Sequence, residues 1–200
     1  MPAGPSEVMV LADGTARAEF VAADLLSQAE HGPDSQAILV TTSAALAKEV
    51  AAQVEKQLRA LSRADIAARA LEESRIFVVA SDEEMAAMAN CYAAEHLIVE
   101  TADPEAVALR IEHAGSIFLG HFSPESVGDY ASGTNHTLPT SGWAVAYSGV
   151  NLDSFCKKIT LQRLTAEGLR NIGETVECMA TAEGLDAHRN AVTVRLNTCK

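Results

Sequence analysis

Two hundred residues with 48% hydrophobic content suffice for one sizeable core, or for a core with an appendage. A formal net charge of -12 without any basic stripe argues against a nucleic-acid partner, because phosphates demand clustered Lys and Arg. No apolar run approaches the roughly 20 residues that span a bilayer and no charged-then-apolar leader opens the chain, so a soluble, cytoplasmic protein with no membrane partner is expected.

The first predicted element is a strand over 7–13, entered directly from Met1-Pro2-Ala3-Gly4-Pro5-Ser6 as if from the middle of something longer. A helix follows from Phe20 and Val21, and Gly32-Pro33 stops it, since proline has no N–H to give and disfavours helical geometry in the residue before it. Residues 37–42 form a short β-branched run, and 44–61 and 63–73 read as amphipathic helices. A strand over 75–80 leads into Ser81-Asp82-Glu83-Glu84, a capping-box-like start for the next helix. Leu97-Ile98-Val99 is another apolar run, 103–113 a helix and Ser116-Ile117-Phe118-Leu119 a fourth apolar run. Strands alternating with helices at this spacing predict an α/β fold built on a parallel, Rossmann-like sheet in three layers, with ligands at the carboxyl ends of the strands.

The segment over 120–142 breaks that pattern with Gly, Ser, Thr, Asn and Pro, and is expected to be a functional loop. Beyond it come a strand-like Lys158-Ile159-Thr160-Leu161 and then helices. The expected organisation is an α/β domain over 1–150 and a mainly helical arm over 151–200. Cys91, Cys156, Cys178 and Cys199 are widely separated and form no C-x-x-C, which points to reduced thiols.

Four places carry chemistry. Gln28 and His31 are three apart, side by side on a last helical turn, continuing a stripe that includes Phe20, Val21 and Asp24. Glu95-His96 precedes an apolar strand, and both side chains reach one pocket only if the strand entrance bends; a Glu and a His there suit general-base work. Asp129 and His136 lie on a glycine-flanked loop, where Asp129 is either a metal ligand or the carboxylate of a backbone turn. In the stretch from Glu183 to Asn190, Gly184 ends one helix, Asp186 caps the next, and His188 falls in its first turn, where the dipole favours neutral imidazole. There is no G-x-G-x-x-G, no P-loop and no G-x-S-x-G, so any nucleotide cofactor must be held by something else.

Together these stretches resemble the histidinol dehydrogenases. The likeness is carried by Pro2 to Glu7, Leu26 to Gln36, Glu95-His96-Leu97, Ser123-Pro124-Glu125-Ser126, Gly128 to His136, and Ala187-His188 followed by Asn190-Ala191-Val192-Thr193. The resemblance implies Zn2+ on Gln28, His31, Asp129 and His188, with Glu95 and His96 as the catalytic pair. It implies substrate contacts from Ser6, His136 and Glu183, shared with the four zinc ligands and His96. The implied reaction is the NAD-dependent, two-step oxidation of L-histidinol to histidine in a homodimer, where the helical arm lends Glu183 and His188 to the partner's site. It further implies that residues 1–6 end a cofactor domain and that this chain is the later part of a longer enzyme; a zinc- and histidinol-binding fragment or a zinc hydrolase are the alternatives. Ala94 stands where the family has proline, which loosens the turn before Glu95.

Overall fold

Glu7–Ala12 is buried along its whole length, and such a continuous run belongs in the middle of a parallel sheet rather than at its edge. It forms strand β1 of the computed structural model, which describes residues 1–198. The remaining strands are β2 (Gln36–Thr41), β3 (Arg75–Val78), β4 (His96–Glu100) and β5 (Ser116–Leu119). All pair in parallel in the order β3-β2-β1-β4-β5, with Val8 flanked by Ala37 and His96.

Alternate strand residues feed two cores. Val8, Val10, Leu39 and Ile98 meet Val21 and Leu25 of α1 (Ala18–Ala29) and Leu46 and Val50 of α2 (Ala44–Leu58). A third helix, α3 (Ala64–Glu72), sets Ala67 and Ala70 against Ala29. Met9, Leu11, Leu97 and Val99 meet Met85 and Ala89 of α4 (Asp82–Tyr92) and Val107 of α5 (Pro104–Ala108). The result is the α/β, three-layer parallel arrangement that the strand–helix alternation predicts. At the β3 margin the cover is incomplete, and Ile76, Phe77 and Val78 remain exposed.

Local signals act largely as read. Ser81 caps α4 by accepting from the Glu84 N–H, while Glu84 reaches back to the Ala80 N–H at 2.8 Å. The helix expected over 103–113 is confined to Pro104–Ala108, and the one expected over 44–61 ends at Leu58. Lys158-Ile159-Thr160-Leu161 forms no strand: a strand needs a ladder partner, and Ile159 and Leu161 lie open to solvent. The loop expected over 120–142 contains a helix, α6 (Glu125–Tyr130).

Residues 1–155 form one compact unit and the chain from Cys156 a second. The second is a hairpin of α7 (Ala166–Ala182) and α8 (Asp186–Thr198). Gly184, at φ 72°, turns the chain in a Schellman motif, with Leu185 N–H on the Ala180 carbonyl and Gly184 N–H on that of Thr181. Asp186, expected as a cap, is the first residue of α8 itself. Cys91, Cys156 and Cys178 are free, exposed thiols, and Cys199 lies outside the described residues. Among the described residues no helix is long and apolar enough to cross a membrane.

Candidate active site

The turn into β4 decides where Glu95 and His96 point. Helix α4 ends with Ala93 in the left-handed conformation at φ 54°, its N–H held by the Ala89 carbonyl, and the chain then bends at Glu95 before β4 begins at His96. This is the bend that two consecutive residues need in order to face one pocket. Gly115 permits it: its N–H bonds the Ala94 carbonyl, and a Cβ there would lie 2.5 Å from the Glu95 carbonyl oxygen.

The entry to β1 clamps the pair. Ser6 Oγ donates to Glu95 Oε2 at 2.6 Å and the Glu7 N–H donates to the same oxygen at 3.0 Å. His96 Nδ1 lies 3.3 Å from the Glu7 carbonyl oxygen, which can only accept, so the proton belongs on Nδ1 and Nε2 keeps its lone pair. Burial, partly offset by Asp129, lowers the His96 pKa, and burial raises that of Glu95. Nε2 is buried without a hydrogen-bond partner, 3.7 Å from Asp129 Oδ1.

Asp129 sits on α6, not on a loop, and shares a helical face with Glu125 four residues earlier. Glu125 is a functional candidate whose sequence motif alone assigns it no role. It is 2% exposed, its Oε1 lies 3.8 Å from His96 Nδ1, and its Oε2 has no partner. Burial first, then the charges of Asp129, Glu95 and Asp24, push its carboxyl up to about 9. The i, i+4 pairing of two acids just after Pro124 is the signal that could have found it. Gly128 makes the helix's approach possible, since a Cβ would lie 2.4 Å from the Phe118 ring.

Helix α1 closes at Ala29, so Gln28 occupies its last turn and His31 the turn beyond, with His31 N–H on the Gln28 carbonyl. Gln28 is fully buried, yet neither atom of its amide has a partner; His31 is exposed. His31, Glu125 and Asp129 each offer a ligand atom, and these lie within 4.8 Å of one another. Buried polar atoms without partners are costly, and two of them, Glu125 Oε2 and His96 Nε2, belong to this group or lie beside it. That donor set fits a divalent metal such as zinc, manganese or cobalt.

His136 is exposed, and near enough to His96 for its charge to oppose protonation there. Glu183 and His188 are exposed residues of the second unit, at the end of α7 and in the first turn of α8. The candidate pair lies at the amino ends of β1 and β4, whereas the fold class led us to expect the carboxyl ends. At the carboxyl end of β4 stands Glu100, buried beside Asp24 and 3.4 Å from His121 Nδ1. Burial raises both carboxyls well above their usual range, and the charge of Glu100 adds to the rise at Asp24.

The family model for histidinol dehydrogenase matches residues 1–196 of the chain. A histidinol dehydrogenase from Bacteroides thetaiotaomicron is 60% identical over 200 residues, covering 100% of this chain and 47% of the relative. One from Bacteroides fragilis is 62% identical over 196 residues, covering 98% and 46%. The crystal structure of histidinol dehydrogenase from Elizabethkingia anophelis superposes with a TM-score of 0.93 at 58% identity, over 99% of this chain and 46% of that one. The chain thus spans about half the length of the curated relatives it matches.

Proposed function

Because the chain belongs to the histidinol dehydrogenase family, we propose that it provides the zinc- and substrate-binding portion of an enzyme that oxidises L-histidinol to L-histidine with NAD. The observation that carries this reading is the grouping of His31, Glu125 and Asp129, with His96 Nε2 buried and unpartnered 3.7 Å from Asp129.

Gln28, His31 and Asp129 would hold the zinc ion, with Glu125 lining the same place. In the family's likeness His188 would be a further ligand and Glu183 a substrate contact, both serving a partner copy in a cytoplasmic homodimer. Bound zinc supplies a fixed positive charge that orients the nitrogen atoms of histidinol. His96 Nε2 takes the proton of the alcohol hydroxyl, its Nδ1–H being held on the Glu7 carbonyl. Glu95 takes a proton from the water that hydrates the aldehyde; its Oε2 is fixed by Ser6 and the Glu7 N–H. His136 lies on the exposed loop that would approach the substrate. NAD, when bound, supplies the hydride acceptor for both oxidations. In the family's likeness the NAD-binding residues would lie mainly in the portion of the longer relatives that this chain does not span.

Zinc content and NADH formation from L-histidinol, measured on one sample, test the proposal. NADH together with about one zinc per chain is expected if the portion is self-sufficient. Zinc without NADH supports a second reading, favoured by the 46% share of the relatives' length, in which these residues bind metal and substrate but transfer no hydride alone. A chain that takes up neither zinc nor histidinol overturns both. Asp129→Asn and Gln28→Ala should each reduce zinc affinity at least tenfold in a chelator competition.

A further inference from the structure

We propose that Glu7 is a positioning residue that holds the Glu95–His96 pair and the Ser141 turn in one geometry; as a statement about catalysis it rests on the function proposed above. Its main chain touches both members of the pair, the N–H on Glu95 Oε2 at 3.0 Å and the carbonyl on His96 Nδ1 at 3.3 Å. The side chain turns back on the same place. Oε1 accepts from the Glu95 N–H at 3.3 Å and from the Ser141 N–H at 3.1 Å, and Oε2 lies 3.4 Å from the Tyr92 hydroxyl oxygen.

One carboxyl therefore ties together the start of β1, the bend before β4 and a loop some 46 residues further on, between Glu95 and Ser141. Ser141 is itself strained, at φ 57° without being glycine, and such a conformation persists only where its surroundings hold it. The Tyr92 hydroxyl stands beside the far oxygen and gives its one proton to Gln36 Oε1 at the start of β2. Glu7 is 8% exposed and meets the pair through these bonds. It acts by setting where the 95–96 peptide lies, and hence where His96 Nε2 and the Glu95 carboxylate point.

The test is NMR on the whole chain at one fixed pH, with amide hydrogen exchange at Glu95 and Ser141 and the imidazole tautomer of His96 as readouts, and exchange at Val10 as the control. Glu7→Asp, which keeps the charge but shortens the reach, should speed exchange at both amides at least tenfold and mix the His96 tautomers, with Val10 unchanged. Glu7→Gln keeps an oxygen where the two N–H groups need it and should behave as the parent. Glu7→Ala should exceed Glu7→Asp at both amides. Parent-like amides and tautomer in Glu7→Asp overturn the proposal, as does a Glu7→Gln that disturbs them as much as Glu7→Asp does. Zinc and L-histidinol binding by the same variants keep the two claims apart: a chain that takes up neither in any variant, yet shows the amide and tautomer changes, removes the proposed function and leaves Glu7's placement standing.

Discussion

The unit of residues 1–155 and the helical hairpin that follows solve the problem of burial differently. In the first, strands β1, β2 and β4 are sealed on both faces, and Val10, Leu39 and Ile98 are inaccessible to solvent. In the second, α7 buries only Gly173 and Ala180 among its described residues, α8 buries none, and Ile172, Met179, Leu185 and Val194 stay partly open. The first unit is held by apolar area removed from water, the second by turn geometry, a Thr165 cap and close packing of Leu196 on Gly173. Global stability should therefore answer to substitutions in the first and barely to those in the second.

The sharpest break comes from Leu39→Ala, which leaves a cavity between sheet and α1 and should cost about 2–5 kcal/mol in urea unfolding. Proton linkage should come next. Burial raises Glu7 from its ordinary 4.5 to about 7, so the folded form binds this proton more tightly than the unfolded one. Its stabilisation is complete below the ordinary value and is lost as pH rises through about 7, on the order of 3 kcal/mol from this group. Asp24 and Glu100, raised by the same burial, have the same sign. The urea midpoint of the metal-free chain should fall between about pH 5 and 9, and Glu7→Gln should flatten the part of that fall that centres near 7.

Gly115→Ala sharpens the comparison at the site, since the new methyl meets the Glu95 carbonyl. A loss of about 1–3 kcal/mol is expected, with zinc retention falling alongside it. The smallest effect belongs to the hairpin. Thr165→Ala removes the cap of α7 and should lower helicity there by about 1 kcal/mol of local stability, visible in hydrogen exchange of α7 but not in the unfolding midpoint of the first unit.

Several of these features were legible in the residue order. The apolar runs of β1, β2 and β4, the Gly32-Pro33 stop and the Ser81 cap depend on neighbours a few positions apart, and each forms close to where it was read. Lys158-Ile159-Thr160-Leu161 looks like a strand and is not one, because pairing is decided by a distant partner that four residues cannot specify. Asp129 read as a loop carboxylate, since Gly, Ser and Asn around it masked a helix of only six residues. Glu125 escaped with it, because its importance lies in the face it shares with Asp129 and in the imidazole it meets across the fold.

What the chain's order determined alone was the α/β class, the helix limits set by Pro and Gly, and the residues whose motifs mark the family. Those follow from local periodicity and backbone chemistry. Only the tertiary structure decided that the Glu95–His96 pair lies at the amino ends of β1 and β4, that Glu125 stands beside it, and that Glu7 hydrogen-bonds to it. Each of these depends on groups that are far apart along the chain and are brought side by side by the burial of the sheet.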